Sequence, residues 1–300
     1  MKFGLVATNP GWLEGHWAEL DASPFQALYV IDHPSMPVPD PWPYLAYVAG
    51  QTRNIRLGTH VTGAPFHHPA ELARAVATVD NLSGGRAILG IGAGWTRADF
   101  EPFGFPHHGF GGRVAQLDEA VRAVKGLWTG DASPLEGEWW QLAGGGVTSP
   151  RPVQRPHPPI IIGLNLPGKA AATAVAHAQG VNTWQLGPQQ VALLVEYLRE
   201  RCHAAGRDPA TLAITADVLF ARDEGRDGAE ALAERVANFA RVGGRGGPAT
   251  QWHAEGVLYG DAEQMAEQVL AFAAAGVEEL SVTLASMADL AWFAERVAGR

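Results

Sequence analysis

Apolar positions along this chain fall into short compact runs separated by amphipathic stretches. Residues 2–7 (Lys-Phe-Gly-Leu-Val-Ala) and 26–31 (Gln-Ala-Leu-Tyr-Val-Ile) read as strands, continuously apolar as buried strands are. Between them, 13–22 can form only a short helix before Pro24 interrupts it. Residues 41–51 read as a helix, and a third strand starts at Ile55 and ends on Gly58-Thr59-His60-Val61-Thr62-Gly63. Apolar residues at helical spacing over 70–82 follow Pro69 and stop at Ser83-Gly84-Gly85, which marks a helix start and end. Strand four, 87–91, runs into Gly92-Ala93-Gly94-Trp95, and the stripe Val114, Leu117, Ala120, Val121, Val124, Leu127 predicts a helix over 113–128.

Residues 136–142 read as one small strand and 144–159 as a proline-rich loop, so about 129–159 is an insertion. The alternation then resumes: strand 160–162, helix 168–178, strand 181–185, helix 189–205. Strand seven, 212–221, alternates as a partly exposed strand does. A helix over 227–242, a glycine-rich loop over 243–248 suited to a lid, a helix over 262–275, strand eight at 279–284 and a closing helix at 287–297 complete the pattern. Eight apolar strands each followed by a helix predict a parallel sheet covered by helices, with no compositional break between domains. The expected fold is α/β: a single (β/α)8 TIM barrel over 1–300, with an insertion between strands 4 and 5.

Composition adds boundaries. With 47% hydrophobic and 18% charged residues the chain can bury a sizeable core, and a net charge of −9 without a basic stripe argues against nucleic acid. No apolar run is long enough to span a bilayer, and Pro10 leaves no room for a signal-peptide core, so a cytoplasmic protein is expected. The lone Cys202, within Glu200-Arg201-Cys202-His203, reads as a spectator thiol.

In such a barrel, chemistry sits at the C-terminal strand ends. These are Asn9, then Asp32-His33, His60-Val61-Thr62, Gly92-Ala93-Gly94-Trp95, Gly163-Leu164-Asn165 and Gln185. Asp32-His33-Pro34 reads either as a site or as an ordinary turn, and His60 either as a proton-handling group or as a satisfied rim histidine. His67-His68 and His107-His108 read as solvated pairs rather than metal ligands, and no metal site is expected. Gly90-Ile91-Gly92-Ala93-Gly94-Trp95 fails as a dinucleotide fingerprint: its last position is Trp and no acidic strand end follows. Strand one lacks a His-x-His pair, and no Gly-x-Ser-x-Gly elbow is present.

Asp32-His33-Pro34, Leu57-Gly58-Thr59-His60-Val61-Thr62, His68-Pro69-Ala70-Glu71-Leu72-Ala73-Arg74, Asp80-Asn81-Leu82-Ser83-Gly84-Gly85-Arg86 and Leu89-Gly90-Ile91-Gly92-Ala93-Gly94-Trp95 together resemble the luciferase-like monooxygenase superfamily, most closely its coenzyme F420 branch. Pro152-Val153-Gln154-Arg155-Pro156, Leu117-Asp118-Glu119-Ala120, Gly260-Asp261-Ala262-Glu263-Gln264 and Ala274-Ala275-Gly276-Val277 extend the likeness over most of the chain. The resemblance implies an oxidoreductase moving hydride between a deazaflavin and a small organic substrate, with a non-prolyl cis peptide at His60-Val61 backing the ring. It implies catalytic roles for Asp32, His33 and His60. Cofactor contacts are implied at His60, Val61, Thr62, Gly92, Ala93, Gly94 and Trp95, and phosphate contacts at Gly163, Leu164, Asn165, Gly168 and Lys169. The expected cofactor is F420, with FMN as the alternative; expected partners are a small-molecule substrate, a second copy in a homodimer and a separate flavin or F420 reductase, with no nucleic acid and no membrane. Two other readings stay open: a monooxygenase using reduced FMN, and a barrel that has lost cofactor binding and acts as a binding or structural protein. Leu164, where the family usually has glycine, motivates the latter. Trp95, where sugar-phosphate-oxidising relatives have Glu, argues against that substrate. Trp12, Trp42, Phe66, Trp95, Phe105, Phe110, Trp139 and Trp140 suggest an aromatic-lined pocket.

Overall fold

The computed structural model describes residues 1–131, 133–222 and 256–299. In chain order its strands are β1 (Lys2–Ala7), β2 (Phe25–Val30), β3 (Arg56–Thr59), the two-residue β4 (Thr62–Gly63), β5 (Ala87–Gly92), β6 (Leu135–Glu136), β7 (Gln141–Leu142), β8 (Ile160–Gly163), β9 (Gly180–Trp184), β10 (Ala213–Arg222), β11 (Val257–Gly260) and β12 (Glu279–Thr283). The helices are α1 (Trp17–Asp21), α2 (Pro41–Gln51), α3 (Pro69–Ser83), α4 (Phe110–Thr129), α5 (Lys169–His177), α6 (Pro188–Ala204), α7 (Ala262–Ala274) and α8 (Met287–Phe293). Eight strands pair in parallel in the order β1, β2, β3, β5, β8, β9, β10, β12, and β12 pairs with β1 to close the barrel. The (β/α)8 architecture expected from the alternation of apolar runs and amphipathic helices is therefore the observed one.

Alternating strand residues serve two layers. On β10, Ile214, Ala216, Val218 and Phe220 join the apolar shell between barrel and helices, while Thr215 and Asp217 belong to a buried polar network. The alternation over 212–221 thus separates two buried faces, and the partly exposed strand expected there is corrected: seven of its ten residues are buried. Inside the barrel, Val6, Ala27, Tyr29, Ile88 and Ile161 form a small second cluster. Gly58 is required beside it, because a Cβ there would lie 2.9 Å from Ile88 and 3.1 Å from the Tyr29 ring. The Tyr29 hydroxyl donates to Glu279 at 2.8 Å, and burial followed by that carboxylate pushes its pKa well up.

Buried carboxylates pin the connections. Asp80 on α3, fully buried, accepts from the backbone N–H groups of Val153 (2.6 Å) and Gln154 (3.0 Å), fixing the approach to β8. Glu119 on α4 accepts from the N–H groups of Glu138, Trp139 and Trp140 at 2.9, 2.9 and 3.0 Å. That turn makes 135–142 a two-stranded antiparallel hairpin of β6 and β7, not the single strand expected. The chain also forms β11, unanticipated, which pairs in parallel with the C-terminal end of β10. The helix expected over 227–242 and the glycine-rich loop over 243–248 lie outside the described residues. Cys202 is buried with a free thiol, and no helix among the described residues is long and apolar enough to cross a membrane.

Candidate active site

The C-terminal strand ends enclose a cavity of about 790 Å³, within the range of small-molecule and cofactor sites. Its floor is set where β3 breaks. The peptide bond between His60 and Val61 is cis, and both residues line the cavity. Val61 lines the cavity and is seated between two strands: a Cβ at Gly92 would lie 2.8 Å, and one at Gly163 2.9 Å, from Val61 Cγ2. These glycines make room for Val61 and themselves line the cavity. His60 packs flat on Tyr29, ring centroids 3.5 Å apart and planes 9° apart. Its Nδ1 lies 2.9 Å from Asp217 Oδ1, and Asp217 Oδ2 accepts from Asn182 Nδ2 at 3.0 Å. The His60 side chain is wholly buried and, among the described residues, its Nε2 has no hydrogen-bond partner. Thr62 does not line the cavity. Its hydroxyl donates to Thr59 (3.1 Å) and accepts from Trp42 Nε1 (3.2 Å), so the cofactor contact expected of it is corrected to a structural one.

One wall carries two crossed histidine–carboxylate pairs. Asp32 and His33 are neighbours after β2 yet do not pair with each other. Asp32 Oδ2 lies 2.8 Å from His67 Nε2 and accepts from the Gly63 N–H at 3.0 Å, tying the loop after β4 to β2. Burial pulls the His67 pKa down, but the hydrogen bond and charge of Asp32 outweigh it and leave the pKa raised. His33 Nδ1 lies 3.1 Å from Asp99 Oδ2, and its ring, part exposed, lines the cavity edge-on to Trp95. Asp99 is fully buried and also accepts from the Ser35 and Thr96 hydroxyls at 2.6 and 3.1 Å. Burial alone would raise its pKa; these donors, His33 first, bring it down to about 2. His67 and Asp99 were not legible as site residues: His67 reads as a helix-start residue, and Asp99 lies 66 positions from His33.

Aromatic side chains face the opening. Trp95 meets Trp184 edge-on at 5.2 Å, and Phe66 and Phe110 join them on the lining. Trp12, Trp42, Phe105, Trp139 and Trp140 do not line it, contrary to expectation; Trp139 and Trp140 instead pack against His108 and His68. Ala93 and Gly94 stay on the lining; Ala93 O is held by Arg113 Nε at 3.0 Å, and Gly94 has φ +73° against Phe100. At the far end, the Leu164 N–H donates to Asn182 O at 2.9 Å, and the Asn165 side chain brackets the Trp184 backbone at 2.6 and 2.8 Å. The Leu164 N–H and the Asn165 side chain are thus engaged within the protein, while both residues line the cavity. Gly168 and Lys169, at the start of α5, lie on the cavity and are exposed, and no side chain caps that helix. Among the described residues no cluster of His, Cys, Asp and Glu could hold a metal ion.

Comparison with known proteins agrees with this geometry. An uncharacterized protein of Mycobacterium tuberculosis is 31% identical over 248 residues, 82% of this chain and 76% of that one. The crystal structure of the monooxygenase RslO1 from Streptomyces bottropensis superposes with a TM-score of 0.82 at 26% identity, covering 100% of this chain and 99% of the other. The coenzyme F420 dependent tetrahydromethanopterin reductase of Methanopyrus kandleri gives 0.80 at 20% identity over 99% and 98%, a likeness of fold. Relatives include both F420-dependent and FMN-dependent enzymes. The model of the luciferase-like monooxygenase family matches residues 16–279, and the chain belongs to that family of oxidoreductases and monooxygenases.

Proposed function

We propose that this chain, as one domain over 1–300, is an F420-dependent oxidoreductase that moves hydride between the deazaflavin and a small organic substrate. The observation that carries the reading is the cavity itself, open at about 790 Å³, with Val61 seated on its floor and His33, oriented by a buried carboxylate, on its wall. The residues present fit such a ring. Gly92 and Gly163 add no side chain above Val61, and the described part of the mouth is not filled by Leu164, which packs into the apolar shell. That packing leaves the reading of a barrel without a ligand unsupported.

F420, when bound, supplies two-electron hydride chemistry and does not activate oxygen. Val61, Ala93, Gly94 and Trp95, all on the cavity lining, would hold the ring. Gly168 and Lys169 would hold the phosphate, through the backbone N–H groups of the α5 start and the lysine ammonium. His33 holds or moves the proton at Nε2, the ring nitrogen that Asp99 does not occupy. His60, wholly buried, braces the floor and is assigned no proton transfer. Asp32 holds the Gly63 backbone and His67, fixing the wall that presents His33. Trp95 and Trp184 exclude water and favour an apolar substrate.

Absorbance titration tests the reading: addition of the chain perturbs the oxidised F420 spectrum saturably, and no perturbation by either F420 or FMN would remove it. Similarity to the RslO1 monooxygenase at 26% identity favours a second reading, an FMN-dependent monooxygenase fed by a separate reductase. Oxygen uptake that depends on reduced FMN distinguishes it.

A further inference from the structure

We propose that Asp99 is the positioning residue of this site: its carboxylate fixes the neutral His33 ring with the proton on Nδ1 and turns an unprotonated Nε2 to the cavity, a role that rests on His33 being the proton-handling group. Five donor atoms converge on this carboxylate. Oδ1 accepts from the Ser35 N–H (3.3 Å) and hydroxyl (2.6 Å); Oδ2 accepts from the Thr96 N–H (3.4 Å) and hydroxyl (3.1 Å) and faces His33 Nδ1 at 3.1 Å. Two of the donors are backbone N–H groups that cannot reverse, and the side chain is fully buried. A carboxylate so surrounded stays ionised and can only accept, so the contact with His33 runs from Nδ1–H to Oδ2.

The pair is built across two segments. Thr96 and Asp99 form the capping box of the short 3₁₀ turn Arg97–Asp99 after β5, which aims the carboxylate back at the loop after β2. Ser35, two residues beyond His33, binds the same group, so one carboxylate fixes both the ring and the backbone that carries it. Asp32, the nearer acid in sequence, is turned to His67 and Gly63 instead. The result is one ring nitrogen reserved for structure and one for chemistry. Neutral His33 accepts a proton at Nε2 when a substrate hydroxyl is oxidised; protonated His33 returns it when a carbonyl is reduced.

The experiment is long-range ¹H–¹⁵N correlation on the full chain labelled at histidine, above the titration range, with His33→Gln to assign the ring. Wild type shows His33 with pyrrole-type Nδ1 and pyridine-type Nε2. In Asp99→Ala the pattern moves to the Nε2–H form that free histidine prefers. A wild-type ring protonated on Nε2, or an Asp99→Ala spectrum unchanged from wild type, overturns the proposal; the wild-type arm decides even where the alanine variant fails to fold. The readout needs no cofactor. An Nδ1–H ring in a chain that binds neither F420 nor FMN would remove the function and leave Asp99 its place, and the reverse pattern would do the opposite.

Discussion

Asp99→Asn isolates the charge at the buried carboxylate from its shape. The native fold holds the Asp99 carboxyl at about 2 against an ordinary value of 3.8, because burial, which favours the neutral acid, is outweighed by the donors from His33 and Ser35. Each pKa unit corresponds to roughly 1.4 kcal/mol, so the ionised carboxyl adds about 2 kcal/mol to the stability of the fold at neutral pH relative to its neutral form. A depressed carboxyl contributes stability that is fully present above its unfolded value and is lost as pH falls through the folded one. Asparagine stands in for the neutral acid at every pH. Urea unfolding of both proteins at pH 7, 5, 4 and 3 should therefore show Asp99→Asn less stable by about 2 kcal/mol from pH 7 to 5, with the gap shrinking to about half that by pH 3. A gap that is absent at pH 7, or as large at pH 3 as at pH 7, would refute the reasoning that the five donors act on an ionised group.

Other consequences are measurable in the same way. Glu119→Ala removes the acceptor of three consecutive N–H groups and should cost about 2 kcal/mol, with hydrogen-exchange protection lost at Glu138, Trp139 and Trp140 and retained in the barrel strands. His67 has a raised pKa, so the stability of its pair with Asp32 is full below about 6.5 and is lost as pH rises through the folded value. His67→Asn should thus be more destabilised relative to wild type at pH 6 than at pH 9, and an equal difference at both would contradict the pairing. Gly163→Ala puts a Cβ 2.9 Å from Val61 Cγ2 and should cost about 1 to 3 kcal/mol; adding Val61→Ala should recover a good part of it, a coupling that a double-mutant cycle reads directly.

Much of the barrel was legible because parallel strands buried on both faces write themselves as apolar runs, and Ile160-Ile161-Ile162 and the β5 run could be little else. Elements fixed by distant partners were harder. The β6–β7 hairpin depends on Glu119, which lies on α4 and carries no mark of that role in sequence. β11 is four residues, Val257 to Gly260, and takes its identity from parallel pairing with the C-terminal end of β10. In the site, the break at His60-Val61 was carried by the resemblance, while the fates of its two side chains were not. The place of His60 on the cavity is fixed by the stacked Tyr29 ring and by Asp217, 157 positions away. A signal for Asp217 did exist: Thr215 and Asp217 are polar at alternate positions of an otherwise apolar strand, as a polar barrel interior demands. Thr96-x-x-Asp99 is likewise a readable capping pattern, although its reach to His33 is not. Leu164 departs from the family's glycine, yet its N–H continues the ladder to β9 and its side chain joins the core at the cavity's edge, which only the packing reveals.

The most direct test of the central claim is a crystal structure of the chain soaked with F420. The account predicts the deazaflavin ring resting on Val61, its phosphate at Gly168 and Lys169, and the open face toward His33. A ring bound elsewhere, or a cavity that stays empty at saturating F420, would contradict it.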